Sequence, residues 1–257
     1  MTSAVLSSVP PPEGDDIFDT GVSNRAKLGF ILLATEQTIE ENMFRLCPPG
    51  VGVHFTRAAN PDSITVENLS LQADDLARAA STLLPDGSLS AICYACTSGS
   101  LVIGEDRVFA ELAKGAPGAK VTSLITGVIR ALRTIGARRV AIATPYLEDI
   151  NAREVAYMQR AGFEICSISG LNLEKDSDMI RVRPDVIAQL AASVDRPEAD
   201  AIFVSCGALR TLDVVEELEQ TLGKTVICSN QAMMWDMLRL TGIRDRIDRY
   251  GRLLREY

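Results

Sequence analysis

Two cysteines in this chain stand where side-chain chemistry can be done. Cys96 follows the apolar run Ala91-Ile92-Cys93-Tyr94-Ala95 and precedes the small residues Thr97, Ser98, Gly99 and Ser100. Cys206 follows Ala201-Ile202-Phe203-Val204-Ser205 and precedes Gly207 and Ala208. An apolar run of strand length that breaks into small polar residues and a glycine reads as a buried strand, a turn and a helix start. Each thiol then leaves the carboxyl end of a strand beside open backbone N–H groups. Such a helix start favours a thiolate and also receives a carboxylate. One thiolate can take a proton from, or add to, a carbon next to a carboxylate, while the other thiol delivers a proton to the opposite face. Racemisation and cis–trans isomerisation both fit, and neither needs a cofactor. The competing reading is packing, because buried cysteines are common. Cys93, Cys166 and Cys228 fall inside apolar runs and read as core residues.

Other chemistries fit less well. Cys93-Tyr94-Ala95-Cys96 is formally a C-x-x-C, but in redox motifs the first cysteine opens a helix, and here it lies within the strand. The only histidine, His54, argues against a His-based triad or a zinc site. Neither G-x-G-x-x-G nor G-x-x-x-x-G-K-[ST] occurs, so a phosphate loop is not expected. A formal charge of −8 argues against a nucleic-acid partner. No apolar stretch reaches the ~20 residues of a membrane span, and Met1 to Val9 lacks the pattern of a signal peptide. The expectation is a cytoplasmic protein with its six cysteines reduced.

The elements that position the cysteines alternate in type. Residues 1–24, with Pro10-Pro11-Pro12-Glu13-Gly14, read as a flexible tail or an assembly arm. A first strand at Lys27–Leu33 leads to a helix at Thr38–Leu46, then a second strand at Val51–Thr56. The pattern predicts a long amphipathic helix over Thr65–Leu84, the Cys96 strand, a helix near Val108–Ala113, a strand at Val121–Ile125 and a helix from Gly127 to the cap at Gly136.

The second half retraces this course. Arg139–Ala143 and its Thr144-Pro145-Tyr146 loop repeat the first strand, with Leu28 and Val140 standing 112 residues apart. Phe163–Ile168 repeats the second strand, Asp176–Ile180 echoes Asn60–Ile64, and a helix follows at Pro184–Ser193. Cys96 and Cys206 are 110 residues apart, and Leu132-Arg133-Thr134-Ile135-Gly136 matches Leu238-Arg239-Leu240-Thr241-Gly242 at 106. A near-constant offset marks an internal duplication. The expected fold is α/β, with two pseudo-symmetric Rossmann-like halves, each a parallel four-stranded sheet flanked by helices. The halves are placed at 25–136 and 137–257, with the C-terminal helix packing back on the first. Ligands in such sheets bind beyond the carboxyl strand ends, so Cys96 and Cys206 should face each other across one cleft.

Several of these motifs resemble the aspartate/glutamate racemase superfamily, in particular its maleate isomerase and arylmalonate decarboxylase branch. They are Cys96-Thr97-Ser98, Ala143-Thr144-Pro145-Tyr146, Ser205-Cys206-Gly207-Ala208-Leu209-Arg210-Thr211, and Ser229-Asn230-Gln231-Ala232 leading into Trp235. Leu33-Ala34-Thr35-Glu36-Gln37-Thr38-Ile39-Glu40 is most similar to the ectoine-utilisation protein A group. The resemblance implies an active site between the halves, no metal or cofactor, and a homodimer or homotetramer. It makes Cys96 the nucleophile and Cys206 the acid, with Tyr146 binding a substrate carboxylate and Thr97, Ser98, Gly207 and Ala208 adding donors. Arylmalonate decarboxylases keep only the second-half cysteine and have glycine in the first half, so Cys96 counts against that activity. A non-catalytic carboxylate-binding protein is the third reading.

Two positions depart from the maleate isomerase pattern. Glu36 and Asp176 stand where that pattern has asparagines. Two anionic side chains would repel a dicarboxylate, which points to a small carboxylate substrate carrying a cationic group, such as an amino acid or a cyclic amidinium. The alternative is a Glu36 turned away and paired with Arg57.

Overall fold

The apolar runs at 26–33, 91–94, 140–144 and 201–204 form central strands buried almost throughout, flanked by less buried edge strands and by helices. A computed structural model describes residues 17–257. The first half contains β1 (Ala26–Leu33), α1 (Ile39–Leu46), β2 (Val51–Ala58), α2 (Val66–Leu71), α3 (Leu76–Ser81), β3 (Ala91–Tyr94), α4 (Thr97–Ile103), α5 (Glu105–Gly115), β4 (Lys120–Ser123) and α6 (Leu124–Thr134). The second contains β5 (Arg139–Thr144), α7 (Glu148–Arg160), β6 (Glu164–Gly170), α8 (Asp176–Met179), α9 (Pro184–Val194), β7 (Ala201–Val204), α10 (Val215–Leu222), β8 (Thr225–Cys228), α11 (Ser229–Leu240) and α12 (Arg252–Glu256). The sheets run β2-β1-β3-β4 and β6-β5-β7-β8, and every pairing is parallel. Four-residue β3 and β7 are fully buried in the centre of their sheets, so the residue that ends each one emerges at an inner strand end.

The halves meet along α6 and α11, the equivalent helices of the repeat. Gly127 allows this approach, since a Cβ there would stand 3.1 Å from the Ala232 carbonyl oxygen. A second seam joins the two echoing loops. The Ile64 N–H donates to the Glu174 carbonyl at 2.8 Å, and the Asp176 N–H donates to the Asp62 carbonyl at 2.9 Å.

Three sequence expectations change. The helix over Thr65–Leu84 is broken into α2, a 3₁₀ turn at Gln72–Asp74 and α3. The cause is Gln72, whose buried side chain accepts from the Tyr94 hydroxyl and donates to Asn60 Oδ1. Turning inward there throws Leu71 out to solvent at 64% exposure. The strand at Val121–Ile125 ends at Ser123, whose hydroxyl accepts from the Thr126 N–H and starts α6, so Leu124 and Ile125 are helical. The last helix, α12, packs on β8 and α11 rather than on the first half. Gly251, ahead of it, donates its N–H to Glu216 of α10.

The first sixteen residues of the N-terminal tail lie outside the described residues, and 17–24 are largely exposed. Among the described residues no helix is long and apolar enough to cross a membrane, and no three His, Cys, Asp or Glu side chains gather as metal ligands do.

Candidate active site

Cys96 and Cys206, from the two halves, line one cavity together with Glu36, Ala95, Thr97, Ser98, Tyr146, Asp176, Gly207 and Ala208. Leu33, Ile64 and Met179 complete its wall. All nine residues singled out in the sequence as catalytic or substrate-binding are therefore brought together. The cavity holds only about 20 Å³, little more than one water molecule requires. A larger depression of about 430 Å³ between α5, α6 and α7 contains neither cysteine. Chemistry rather than size marks the site.

The first corner is a helix start. Cys96 is the N-cap of α4, and its Sγ accepts from the Gly99 N–H at 3.2 Å and lies 3.6 Å from Ser98 Oγ. Tyr94 lies beneath it, and a Cβ on Gly99 would fall 2.1 Å from the Tyr94 hydroxyl, so only glycine lets α4 begin here. The Thr97 hydroxyl is shared with the second half, 3.2 Å from Ser229 Oγ.

The second corner is built differently. Cys206 has φ +93°, a conformation that costs a non-glycine residue energy and collects at functional sites. No helix follows at once: a turn runs to a 3₁₀ segment at Thr211–Asp213, and α10 starts only at Val215. The expectation of a helix start after each cysteine thus holds for Cys96 alone. The Cys206 loop is held from outside. Asn230 Nδ2 donates to the Gly207 carbonyl at 2.8 Å and to Asn42 Oδ1 at 3.0 Å, and the Thr38 hydroxyl donates to the Ala208 carbonyl at 3.0 Å. Ser229 and Asn230 of the Ser-Asn-Gln-Ala motif therefore reach one corner each. Tyr146 is fixed by its own loop, with Asn151 of α7 bonded to Thr144 Oγ1 and to the Tyr146 carbonyl.

Electrostatics reverse one expectation. Burial pushes the Cys96 thiol up to about 11, against the opposing pull of Ser98 and the Gly99 N–H, and the Asp176 charge adds to the rise. Burial also holds Cys206 well above a free thiol, again with Asp176 adding, while the Tyr146 hydroxyl and Ala208 N–H pull it down. The helix start does favour a thiolate, but desolvation exceeds it, and both cysteines rest as thiols.

Glu36 is not paired with Arg57. Its carboxylate caps α1, accepting from the Thr38 N–H and from the Ile39 N–H at 3.0 Å. Arg57 instead donates to the Leu33 and Glu36 carbonyls and pairs with the Glu40 carboxylate at 2.8 Å. Burial, with Asp176 nearby, pushes Glu36 up to about 7. Burial likewise raises Asp176, whose Oδ2 accepts from the Thr35 hydroxyl at 2.6 Å.

The sequence reading missed Tyr94, Thr38, Asn42 and Glu154. Tyr94 looks like any strand aromatic, and Glu154 is one of several charged residues along α7, a stretch to which the sequence pattern assigned no element. Asn230 was legible as part of a motif, though not its hold on the Cys206 loop.

Comparison with known proteins agrees with this architecture. The arylmalonate decarboxylase family profile matches residues 61–254. The chain belongs to that family. It is 36% identical to arylmalonate decarboxylase of Bordetella bronchiseptica over 144 residues, which is 55% of this chain and 60% of that enzyme. It is 28% identical to maleate isomerase of Nocardia farcinica over 240 residues, 90% of this chain and 96% of the relative. Among solved structures, a variant of the Nocardia farcinica maleate cis–trans isomerase with a covalently bound succinylcysteine intermediate superposes with a TM-score of 0.83, at 26% identity, over 90% of this chain and 99% of that one. A liganded double variant of arylmalonate decarboxylase superposes with a TM-score of 0.82, at 27% identity, over 90% of this chain and 100% of that one. These relatives support membership of the aspartate/glutamate racemase superfamily, and they make this family member an enzyme.

Proposed function

We propose that the protein is a cofactor-independent isomerase or racemase that acts at a carbon next to a carboxylate. The observation that carries this reading is the pair of buried thiols, one from each half, lining a single cavity. On an unsaturated substrate, Cys96 first gives its proton to solvent water; the thiolate then adds to the double bond and the Cys206 proton goes to the neighbouring carbon. Rotation about the resulting single bond, return of the proton to Cys206 and cleavage of the C–S bond give the other isomer. On a saturated substrate, Cys96, as the thiolate left once its own proton has passed to solvent water, removes the substrate proton and Cys206 delivers one to the opposite face. Tyr146, the Thr97 and Ser98 N–H groups at the start of α4, and the Ala208 N–H hold the carboxylate.

Glu36 and Asp176 define the substrate class within this reading. Two carboxyl groups in one cavity, where Asp176 adds to the burial that raises Glu36, favour a cationic group between them over a second carboxylate. An ammonium or a cyclic amidinium fits, as in amino-acid or ectoine breakdown. The same cation would offset the Asp176 charge that holds Cys96 up, so the substrate itself would help to make the thiolate.

The test is turnover and solvent-deuterium incorporation across a panel of amino and amidinium carboxylates, with mass spectrometry of Cys96. Deuterium gain that disappears in both Cys96→Ala and Cys206→Ala supports the reading. Full activity in both variants would end it. Similarity to the Bordetella decarboxylase keeps decarboxylation of a substituted malonate as the second reading, and carbon dioxide release in Cys96→Gly and wild type alike would favour it.

A further inference from the structure

The depression between α5, α6 and α7 carries a charge pattern opposite to that of the chain as a whole. It encloses about 430 Å³, the size of a site for a small organic molecule. Its floor is the buried pair Thr126 and Ile129 of α6, and the rings of Phe109 and Tyr157 wall it. Three guanidinium groups surround it in a chain of formal charge −8. Arg130 and Arg133 come from the first half and Arg160 from the second.

All three guanidiniums keep open donors. Arg130 reaches both Asp236 carboxylate oxygens through Nη1 alone, at 3.0 and 3.1 Å, and among the described residues its other nitrogens make no hydrogen bond. Arg133 uses only Nη2, which donates to the Ala161 carbonyl at 2.9 Å and so ties α6 to the end of α7. Among the described residues Arg160 has no hydrogen bond or ion pair, and it lies over the Tyr157 ring, 5.8 Å from its centre. The Tyr157 hydroxyl is enclosed, yet it too has no hydrogen-bond partner among the described residues. Burial, with Glu105 nearby, pushes this hydroxyl up, so it keeps its proton. An enclosed donor without an acceptor is a cost that a bound acceptor removes.

The charges narrow the ligand class. The three arginines contribute +3, while Glu105, which accepts from the Thr126 hydroxyl, and Asp236 behind Arg130 contribute −2, leaving +1. Asp106, the next acid along α5, is exposed and lines no part of the depression. Planar guanidiniums match carboxylate and phosphate oxygens alike, but a residual +1 favours a monoanion over a dianion. Phe109, Ile129 and the Tyr157 ring favour an apolar body behind the head group.

We propose that this depression is a second ligand site, which takes a monocarboxylate with an apolar or aromatic body, its carboxylate on Arg133 and Arg160 and accepting from the Tyr157 hydroxyl. Its chemistry differs from that of the cysteine cavity, where Glu36 and Asp176 favour a cationic group. The ligand bridges the two halves at the place where Arg133 already holds Ala161. The inference does not rest on the proposed reaction.

The test is calorimetric titration and thermal unfolding of the full chain with benzoate and, separately, phenyl phosphate. Benzoate should bind once per chain, more tightly than phenyl phosphate, and raise Tm with concentration. Arg133→Leu and Arg160→Leu, both changes at exposed side chains, should each weaken benzoate at least tenfold, the loss of a charged hydrogen bond. Tyr157→Phe should weaken it about two- to tenfold. Glu105→Gln raises the residual charge to +2 and should tighten phenyl phosphate more than benzoate, a gain that no damage to folding imitates. Equal benzoate binding in wild type and both arginine variants would put the ligand elsewhere and overturn the inference. Failure of both probes to bind, or tighter binding of phenyl phosphate to the wild type, would overturn it as well. Fully active cysteine variants would overturn the proposed function alone.

Discussion

The two cysteine corners occupy equivalent places in a duplicated fold, yet they are built by different means. Cys96 caps a helix in ordinary extended backbone, with an N–H of its own helix on the sulfur. Cys206 sits at φ +93° in a turn without a following helix, held by Asn230 and Thr38 from other elements. Duplication conserves where strand ends fall, because sheet order and crossover handedness fix them. It leaves each corner free to acquire its own local chemistry. The first corner suits a group that becomes anionic and attacks. The second, with the Tyr146 hydroxyl and the Ala208 N–H on the thiol, suits a group that holds a proton and releases it.

That contrast can be broken outright by removing either thiol. Cys96→Ala and Cys206→Ala should each lower kcat by about 10²- to 10⁴-fold, the usual contribution of a positioned acid or base. Only Cys96→Ala should abolish a substrate–protein adduct seen by mass spectrometry. An adduct on Cys206 in wild-type protein would reverse the assignment. The next effect is on specificity. Glu36→Gln should raise KM for a cationic substrate by about 10- to 100-fold, the equivalent of a charged hydrogen bond, and should remove the acid limb of the kcat/KM profile near pH 7.

A packing test sharpens the difference between the corners. Gly99→Ala drives a methyl group onto the Tyr94 hydroxyl and should cost ~1–3 kcal/mol in urea unfolding. Gly207→Ala meets Ile39 Cδ1 at 2.8 Å, the movable end of a side chain, and should cost under ~1 kcal/mol. Equal losses would mean that the corners are equally rigid. The smallest effect is on resting reactivity. Alkylation of Cys96 should climb with pH toward a midpoint near 11 without a plateau around neutrality, since the thiol is the resting form. A midpoint below about 8 would restore the activated thiolate expected of an exposed helix start.

The parts of this molecule legible in its sequence are those set by local pattern. Apolar runs such as Lys27–Leu33 and Ala201–Val204 became parallel strands, and the repeated offsets placed Cys96 and Cys206 in one cavity. The break at Gln72 was not legible, because its cause is a hydroxyl on Tyr94, which no spacing within the helix reports. The start of α6 inside Val121–Ile125 was hidden for a related reason: a short apolar run suits strand and helix alike, and the Ser123 cap decides. The resting thiols are consequences of burial, which only tertiary packing creates.

A chamber of about 20 Å³ cannot accept even a small carboxylate. The substrate must therefore wait for a rarer, wider arrangement of its two walls, and apparent affinity is weakened by the fraction of molecules in that arrangement. The hydrogen bonds joining Asp62 and Ile64 to Glu174 and Asp176 span those walls. They make this seam the natural place for the delay, so that the observed binding rate levels off at high substrate concentration, at the frequency with which the seam parts.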